Sequence, residues 1–347
     1  VSGRYTLGTF GFRTFDLRIA DSLVAFAAGG SETPTYGAIE LVGGAVYRFS
    51  LEGTCRQSGS LVQLFWEIPD TARMTRALRI ASGADLVILT MGLSPRVEGE
   101  EMDVTVKGFL GGDRTDIALP ESQCRLLRSV AALGKPVVLV LLNGSALAIP
   151  DIASVDAVVE LWYPGQAGGT ALAEVLFGDV NPSGRLPVTF YRSIADIPPF
   201  INYAMEGRTY RYFKGTALFP FGHGLSYTRF NYDNLRLTPA RIREGDREVT
   251  VECDIANVGG RAGEEVVQLY LKASGSSVSR PLKELRGFQR VSLATDERKT
   301  VRFALKPSDC ALYDPQHQAW AIEHGAYEVL VGASSEDIRA KGTIVIE

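Results

Sequence analysis

Histidine, paired cysteines, long apolar runs and blocks of one charge are all scarce in this chain, and each scarcity removes a class of function. There are 3 histidines, and none stands in the H-x-x-x-H spacing that puts two metal ligands on one helix face. The 4 cysteines, Cys55, Cys124, Cys253 and Cys310, are far apart and form no C-x-x-C pair. A zinc site is therefore not expected, and the cysteines read as buried thiols. No metal and no cofactor is expected. No apolar run approaches the ~20 residues of a membrane-spanning helix. Lys and Arg number 36 against 40 Asp and Glu, and they are spread along the chain. Nucleic acid or an anionic membrane would require a basic block that is not there. The first residues, VSGRYTLGTF, include no initiating Met and no charged-then-apolar leader pattern, so they read as the interior of a longer polypeptide.

What is present is an ordinary soluble composition. The 347 residues are 46% hydrophobic and 22% charged, enough for two or three domains. Residues 1–70 alternate in short runs (FRTFDLRIADSLVAF, AIELVGGAVYRFSLEG, SLVQLFWEIP) broken by Gly, Ser and Thr. That period of two predicts antiparallel strands with one face buried, too few for a complete β-sandwich. At Pro69-Asp70 the pattern changes. Met74 and Leu78 have helical spacing, and ADLVILTMG reads as a strand buried on both faces. Pro120 opens a helix, ESQCRLLRSVAAL, that Gly134 closes. PVVLVLL and DAVVELWYPG read as further strands, GGTALAEVLFG as a helix and GRLPVTF as extended chain. Residues 71–194 are thus expected to be α/β with parallel strands. Residues 195–232 are rich in aromatics and glycine without periodicity and read as a packed connection. Residues 233–347 return to period two, with about seven short strands separated by turn residues, the pattern of an immunoglobulin- or fibronectin-like sandwich. The expected fold class is α/β plus all-β.

The stretch VEGEEMDVTVKGFLGGDR, residues 97–114, crowds Glu98, Glu100, Glu101 and Asp103 after the strand ADLVILTMG. Carboxylates this close cannot all ionise cheaply, so one is expected to hold its proton toward neutrality and to be able to donate it to a leaving group. A solvated acidic loop is the bland reading, and calcium is a weaker one because the D-x-D-x-D-G spacing is absent. Gly165, Gly168 and Gly169 match neither phosphate-binding fingerprint and read as strand–helix packing. Ser145 lacks the G-x-S-x-G frame of a nucleophile, and His223 reads as packing. Trp162, Tyr163, Tyr210 and Tyr212 suit either core packing or stacking on a sugar ring.

GKPVVLVLLNGSALA, WYPGQAGGTALAEVLFGDVNPSGRLPVTF, RTYRYF and LFPFGHGLSYTRF occur in this order from about residue 71 onward. Together they resemble the C-terminal half of glycoside hydrolase family 3. EGEEM followed by GGDRTDIALP is most similar to its bacterial β-xylosidase and β-glucosidase branch. The resemblance implies a parallel α/β sandwich domain at 71–194, the connection at 195–232 and a fibronectin type III-like domain at 233–347. Residues 1–70 resemble the second half of a β-sandwich insert related to the sugar-binding domain of protective antigen. The resemblance also implies a (β/α)8 barrel outside this chain. There an Asp would attack the anomeric carbon while a Glu of the α/β domain protonates the leaving oxygen and then activates water. Carried onto this sequence, Glu100 in Glu100-Glu101-Met102-Asp103-Val104 is the expected acid/base. Val104 stands where the family commonly has Arg and Glu101 where it has a small residue, which makes Glu98 the second candidate. Asp113 and Arg114 are expected to shape the loop. The implied substrates are β-linked xylo- or gluco-oligosaccharides or aryl glycosides, and the implied partner is the missing barrel, without which this chain is expected to be inactive. A periplasmic or secreted location is favoured over the cytoplasm. The alternative is a non-catalytic carbohydrate-binding or scaffold module.

Overall fold

Alternation of apolar and polar residues turns the first 67 residues into six strands: β1 (Gly3–Phe10), β2 (Phe12–Ile19), β3 (Ser22–Ala27), β4 (Thr35–Leu41), β5 (Phe49–Cys55) and β6 (Gln63–Glu67). The computed structural model describes residues 1–29, 35–55, 62–102, 104, 106–243, 245, 248–276, 278–314 and 317–347. Within these the chain divides into two units, one of Val1–Ile88 with Arg125–Val138 and one of Leu89–Cys124 with Leu139–Glu347. The protein is mostly β, with four α-helices among the described residues.

In the first unit the strands form two antiparallel sheets, ordered β4-β1-β6 and β3-β2-β5. Tyr5 and Leu7 of β1, Phe15, Leu17 and Ile19 of β2 and Ala25 of β3 form one buried cluster between them. Each fully buried Leu or Ile is worth about 1.5–3 kcal/mol. The sheets meet closely at Gly37, where a Cβ would lie 1.5 Å from the Val24 carbonyl oxygen, so no other residue fits there. Cys55 does not share this burial. It ends β5, an edge strand, beyond the core and faces solvent, whereas Cys124, Cys253 and Cys310 are buried as expected. Helix α1 (Asp70–Ser82) follows Pro69, and its first-turn Asp70 pairs with Arg73 and, at 3.5 Å, with Arg125. The Arg73 hydrogen bond holds the Asp70 carboxyl below its ordinary range.

Strand β7 (Val87–Gly92) leads into the acidic loop, which returns through a two-residue hairpin of β8 (Phe109–Leu110) and β9 (Asp113–Arg114). Helix α2 (Glu121–Ala131) follows Pro120, and Gly134 turns the chain beyond it at φ +68°. Next come β10 (Val137–Leu142), β11 (Ala157–Glu160) and α3 (Gly168–Phe177). The sheet order is β11-β10-β7. Bonds from the Val87 N–H to Pro136 O and from the Leu93 N–H to Leu142 O, at opposite ends, make β7 and β10 parallel. β10 is central, and its Val137, Leu139 and Val140 are fully buried. β7 differs from the expectation of burial on both faces: it is the edge strand, and Ile88 is 46% exposed.

Residues 184–190, expected to be extended, form no named strand but pair by backbone with the connection, Leu186 with Gly222 and His223 and Phe190 with Phe219 through an isolated bridge. The connection that follows contains α4 (Thr209–Tyr212), and Tyr210 stacks on Phe221 at 4.4 Å and meets Tyr270 edge-on at 5.8 Å. Strand β12 (Phe230–Thr238) begins three residues before the expected boundary at 233. It is followed by β13 (Arg241–Ile242), β14 (Val249–Asn257), β15 (Gly263–Ala273), β16 (Glu284–Leu293), β17 (Arg298–Leu305), the short hairpin of β18 (Leu312–Asp314) and β19 (Ala319–Ala321), β20 (Gly325–Gly332) and β21 (Ile338–Ile346). These make a three-stranded sheet, β12-β14-β17, and a five-stranded one, β13-β21-β20-β15-β16. Val251, Cys253 and Ile255 of the first and Val267, Leu269 and Val329 of the second are 0% exposed in one shared core.

Candidate active site

The acidic loop is anchored at both ends by glycine. Gly92 has φ +140° and lies so close to β10 that a Cβ would sit 1.9 Å from Leu142 O. The Gln123 side chain then clamps it, accepting from the Gly92 N–H at 2.8 Å and donating to its carbonyl at 2.8 Å. At the far end Gly112, φ +91°, packs its Cα face against Gly99, leaving 2.1 Å between a would-be Cβ and Gly99 O. The Gly99 N–H reaches Gly112 O at 3.3 Å and the Met102 N–H reaches Gly111 O at 2.8 Å. The GGDR turn and residues 99–102 thus meet through their backbones.

The candidate carboxylates have different surroundings. Glu98 is half-buried and gripped at both oxygens: Ser145 Oγ donates to Oε1 at 3.1 Å and the Tyr163 hydroxyl donates to Oε2 at 3.1 Å. Arg114 completes this cluster, donating from Nη1 to Ser145 Oγ at 2.7 Å and to Ala146 O at 3.0 Å, and from Nε to Asp116 O at 3.2 Å. Burial lowers the Arg114 pKa, and Glu98 and Asp116 oppose that shift. Burial and the neighbouring Glu98 charge raise the Tyr163 phenol. Glu100 is exposed and has no side-chain partner among the described residues. Glu101 is also exposed, in the left-handed region at φ +49°. Asp103 lies outside the described residues. Asp113 is exposed in the hairpin and takes no part in the cluster, so of the two loop-shaping candidates only Arg114 contributes its side chain.

Burial lifts one carboxylate beside the loop toward neutrality. It is Glu160, the last residue of β11, pushed up to about 7. Its Oε1 accepts from the Trp162 N–H at 3.0 Å and its Oε2 from Asn143 Nδ2 at 3.3 Å. Asn143 is fully buried and also donates from Nδ2 to Ser145 O at 2.9 Å. Beside this network, Gly144, Ser145, Ala146, Trp162, Pro187 and Val188 line an open depression of about 560 Å³. Among the described residues the site thus joins a held carboxylate, one without a side-chain partner and a recess with an aromatic wall.

Residues 19–227 match the model of the glycosyl hydrolase family 3 C-terminal domain, and residues 265–335 match that of a fibronectin type III-like domain. The chain belongs to glycoside hydrolase family 3. The match begins earlier than residue 71, from which the motifs were read. Among its family 3 relatives, the xylan 1,4-β-xylosidase of Xylanibacter ruminicola is 43% identical over 256 residues, covering 74% of this chain and 29% of that protein. The thermostable β-glucosidase B of Acetivibrio thermocellus is 40% identical over 288 residues, covering 79% and 37% respectively. A crystal structure of β-glucosidase from Kluyveromyces marxianus superimposes with a TM-score of 0.76 at 30% identity, covering 100% of this chain and 42% of that one. This family 3 chain therefore spans well under half the length of these relatives.

Within that family frame, sequence reasoning found the acidic loop and Arg114 but passed over three groups. Ser145 lacks the frame of a nucleophile, yet its hydroxyl bridges Arg114 and Glu98. Tyr163 suggests an apolar surface by its ring, yet it engages Glu98 through its hydroxyl. Glu160 was unmarked, although a lone Glu closing the apolar run AVVE is a signal that could have been followed. His223 packs as expected, stacked on Phe219 at 5.4 Å, with burial lowering its pKa.

Proposed function

We propose that this chain is the C-terminal part of a retaining, exo-acting β-glycosidase cleaving β-linked xylosides or glucosides, and that Glu100 is its general acid/base. The observation that carries the assignment is the contrast within one loop. Both oxygens of Glu98 are occupied by Ser145 and Tyr163, while Glu100, two residues on, is exposed and has no side-chain partner among the described residues. A carboxylate locked in two hydrogen bonds is poorly placed to deliver a proton and then take one from water. A free one on a loop braced at both ends can do both. Glu98, the second candidate, becomes the anchor of the loop.

In this reading Glu100 protonates the glycosidic oxygen while an Asp on a barrel domain attacks the anomeric carbon. After the aglycone leaves, the Glu100 carboxylate takes a proton from the water that releases the sugar. The rest of the polypeptide supplies that barrel and covers the loop. Ile80 on α1, 60% exposed, and Leu86, 48% exposed just before the edge strand β7, fit a surface that further chain would cover. Residues 1–70 then form part of a β-sandwich insert, 71–194 part of the α/β domain, and the fibronectin-like domain braces the whole. The chain by itself would be inactive.

The test uses the full-length enzyme with nitrophenyl and alkyl xylosides and glucosides. Glu100→Gln should lose about 10²–10⁴-fold in rate on the alkyl glycosides, with far less loss on nitrophenyl glycosides and partial rescue by azide. If Glu98→Gln behaves this way and Glu100→Gln does not, the acid is Glu98. If neither does, the chain is a non-catalytic module.

A further inference from the structure

Two forks of hydrogen bonds stand back to back in this site. The outer fork is the pair of hydroxyls on Glu98, Ser145 Oγ from the 143–146 turn and the Tyr163 phenol from the 162–163 turn. The inner fork is Glu160, whose Oε2 accepts from Asn143 at the root of the first turn and whose Oε1 accepts from the Trp162 N–H at the root of the second. We infer that Glu160 is a positioning residue for the acidic loop: its carboxylate ties together the two turns whose tips grip Glu98, and it does so only while ionised. This inference rests on the glycosidase reading for its consequence in catalysis, but not for the switch itself.

The switch follows from counting donors and acceptors. The ionised carboxylate is acceptor-only and meets two donors, so both bonds form. Asn143 spends its Nδ2 on Glu160 and on Ser145 O, and its Oδ1 is buried with no partner among the described residues. A proton on Oε2 replaces an acceptor with a donor and sets it against the Asn143 N–H. Turning the Asn143 amide over removes the conflict, because the orphan Oδ1 then accepts from the new O–H. The same turn takes Nδ2 away from Ser145 O and frees the turn that carries the Ser145 hydroxyl. Ser145 is the shared partner of Arg114 and Glu98, so Glu98, in the loop that carries Glu100, loses one of its two side-chain grips. The displacement of Glu160 to about 7 comes from burial, opposed by the Trp162 and Asn143 bonds. Glu98, Arg114 and Tyr163 are the titratable groups at the outer fork, and none of them is among its causes.

Hydrogen–deuterium exchange of the full-length enzyme at pH 6 and pH 8, corrected for intrinsic rates, reads the switch directly. Residues 144–146 and 98–102 should exchange faster at pH 6 than at pH 8 in the wild type, and at one common rate at both pH values in Glu160→Gln. Wild-type kcat/KM on a nitrophenyl glycoside should fall on its acid side with an inflection near 7. In Glu160→Gln that inflection should vanish, with kcat lowered about tenfold and KM little changed. Wild-type exchange that does not differ between the two pH values overturns the inference, even if Glu160→Gln fails to fold. So does an unaltered acid limb in the folded variant. A pH-dependent exchange difference in a protein that hydrolyses neither glycoside upholds the brace and removes the glycosidase reading instead.

Discussion

Replacing Glu265 with Ala should destabilise the protein more than any exposed ion pair could. Arg185 Nη2 meets Glu265 Oε1 at 2.6 Å, and the two side chains are 8% and 4% exposed. The pair joins the segment after α3 to the start of β15 and so fastens the fibronectin-like sandwich to the chain that precedes it. In Glu265→Ala the guanidinium stays buried with one remaining side-chain bond, from Nη1 to Gly184 O. Breaking one side of a buried pair costs about 3–5 kcal/mol. The lost acceptor of the Val266 N–H, 2.8 Å from Glu265 Oε1, adds about 1 kcal/mol. At about 2–4 °C per kcal/mol for a body of this size, the midpoint of thermal unfolding should fall by about 8–24 °C. The double variant Arg185→Met/Glu265→Leu removes both charges while keeping bulk, and should recover most of that loss. A single variant costing under about 1 kcal/mol would show the pair to be solvated. A double variant as unstable as the single one would show that geometry, not the stranded charge, sets the cost.

The folded state holds Glu160 protonated at pH values where the unfolded chain, titrating near 4.5, has released that proton. Its stabilising contribution is therefore full below 4.5 and is lost as pH rises to about 7. The shift corresponds to about 3 kcal/mol undiscounted and about 1–2 kcal/mol after allowance for solvent screening. The stability of wild type minus that of Glu160→Gln, from urea denaturation, should fall by that amount between pH 4.5 and 8, and a constant difference would contradict the shift. Among the thiols, native-state alkylation should label Cys55 within minutes and leave Cys124, Cys253 and Cys310 for the unfolded protein, since burial pushes Cys253 up to about 11 and Cys310 to about 12. Equal labelling of all four, followed by mass spectrometry, would count against the packing described.

Much of the fold was legible along the chain because its signals are local. The period of two in residues 1–70 and after 233 reports strands half-buried against a core, and Leu17 and Val251 are buried where that alternation puts them. Pro120 and Gly134 bracket α2 because each residue's backbone freedom is a property of that residue alone. The same local reading placed the acidic loop at the end of β7 and singled out Arg114. Burial of β7 was misjudged because an edge strand and a central strand carry the same apolar composition, and only pairing distinguishes them. Cys55 was misjudged for a related reason, since its exposure depends on where β5 outruns the core.

Composition and spacing alone determined that the chain has period-two strands at both ends, an α/β stretch between them and four crowded carboxylates on one loop. Tertiary structure alone decided that Glu98 is held while Glu100 has no side-chain partner among the described residues. The hydroxyls that occupy Glu98 come from residues 47 and 65 positions away, and no periodicity in one dimension encodes a contact between turns on different strands. Glu160 acquires its displaced proton affinity the same way, from burial that exists only when β11 lies in its sheet.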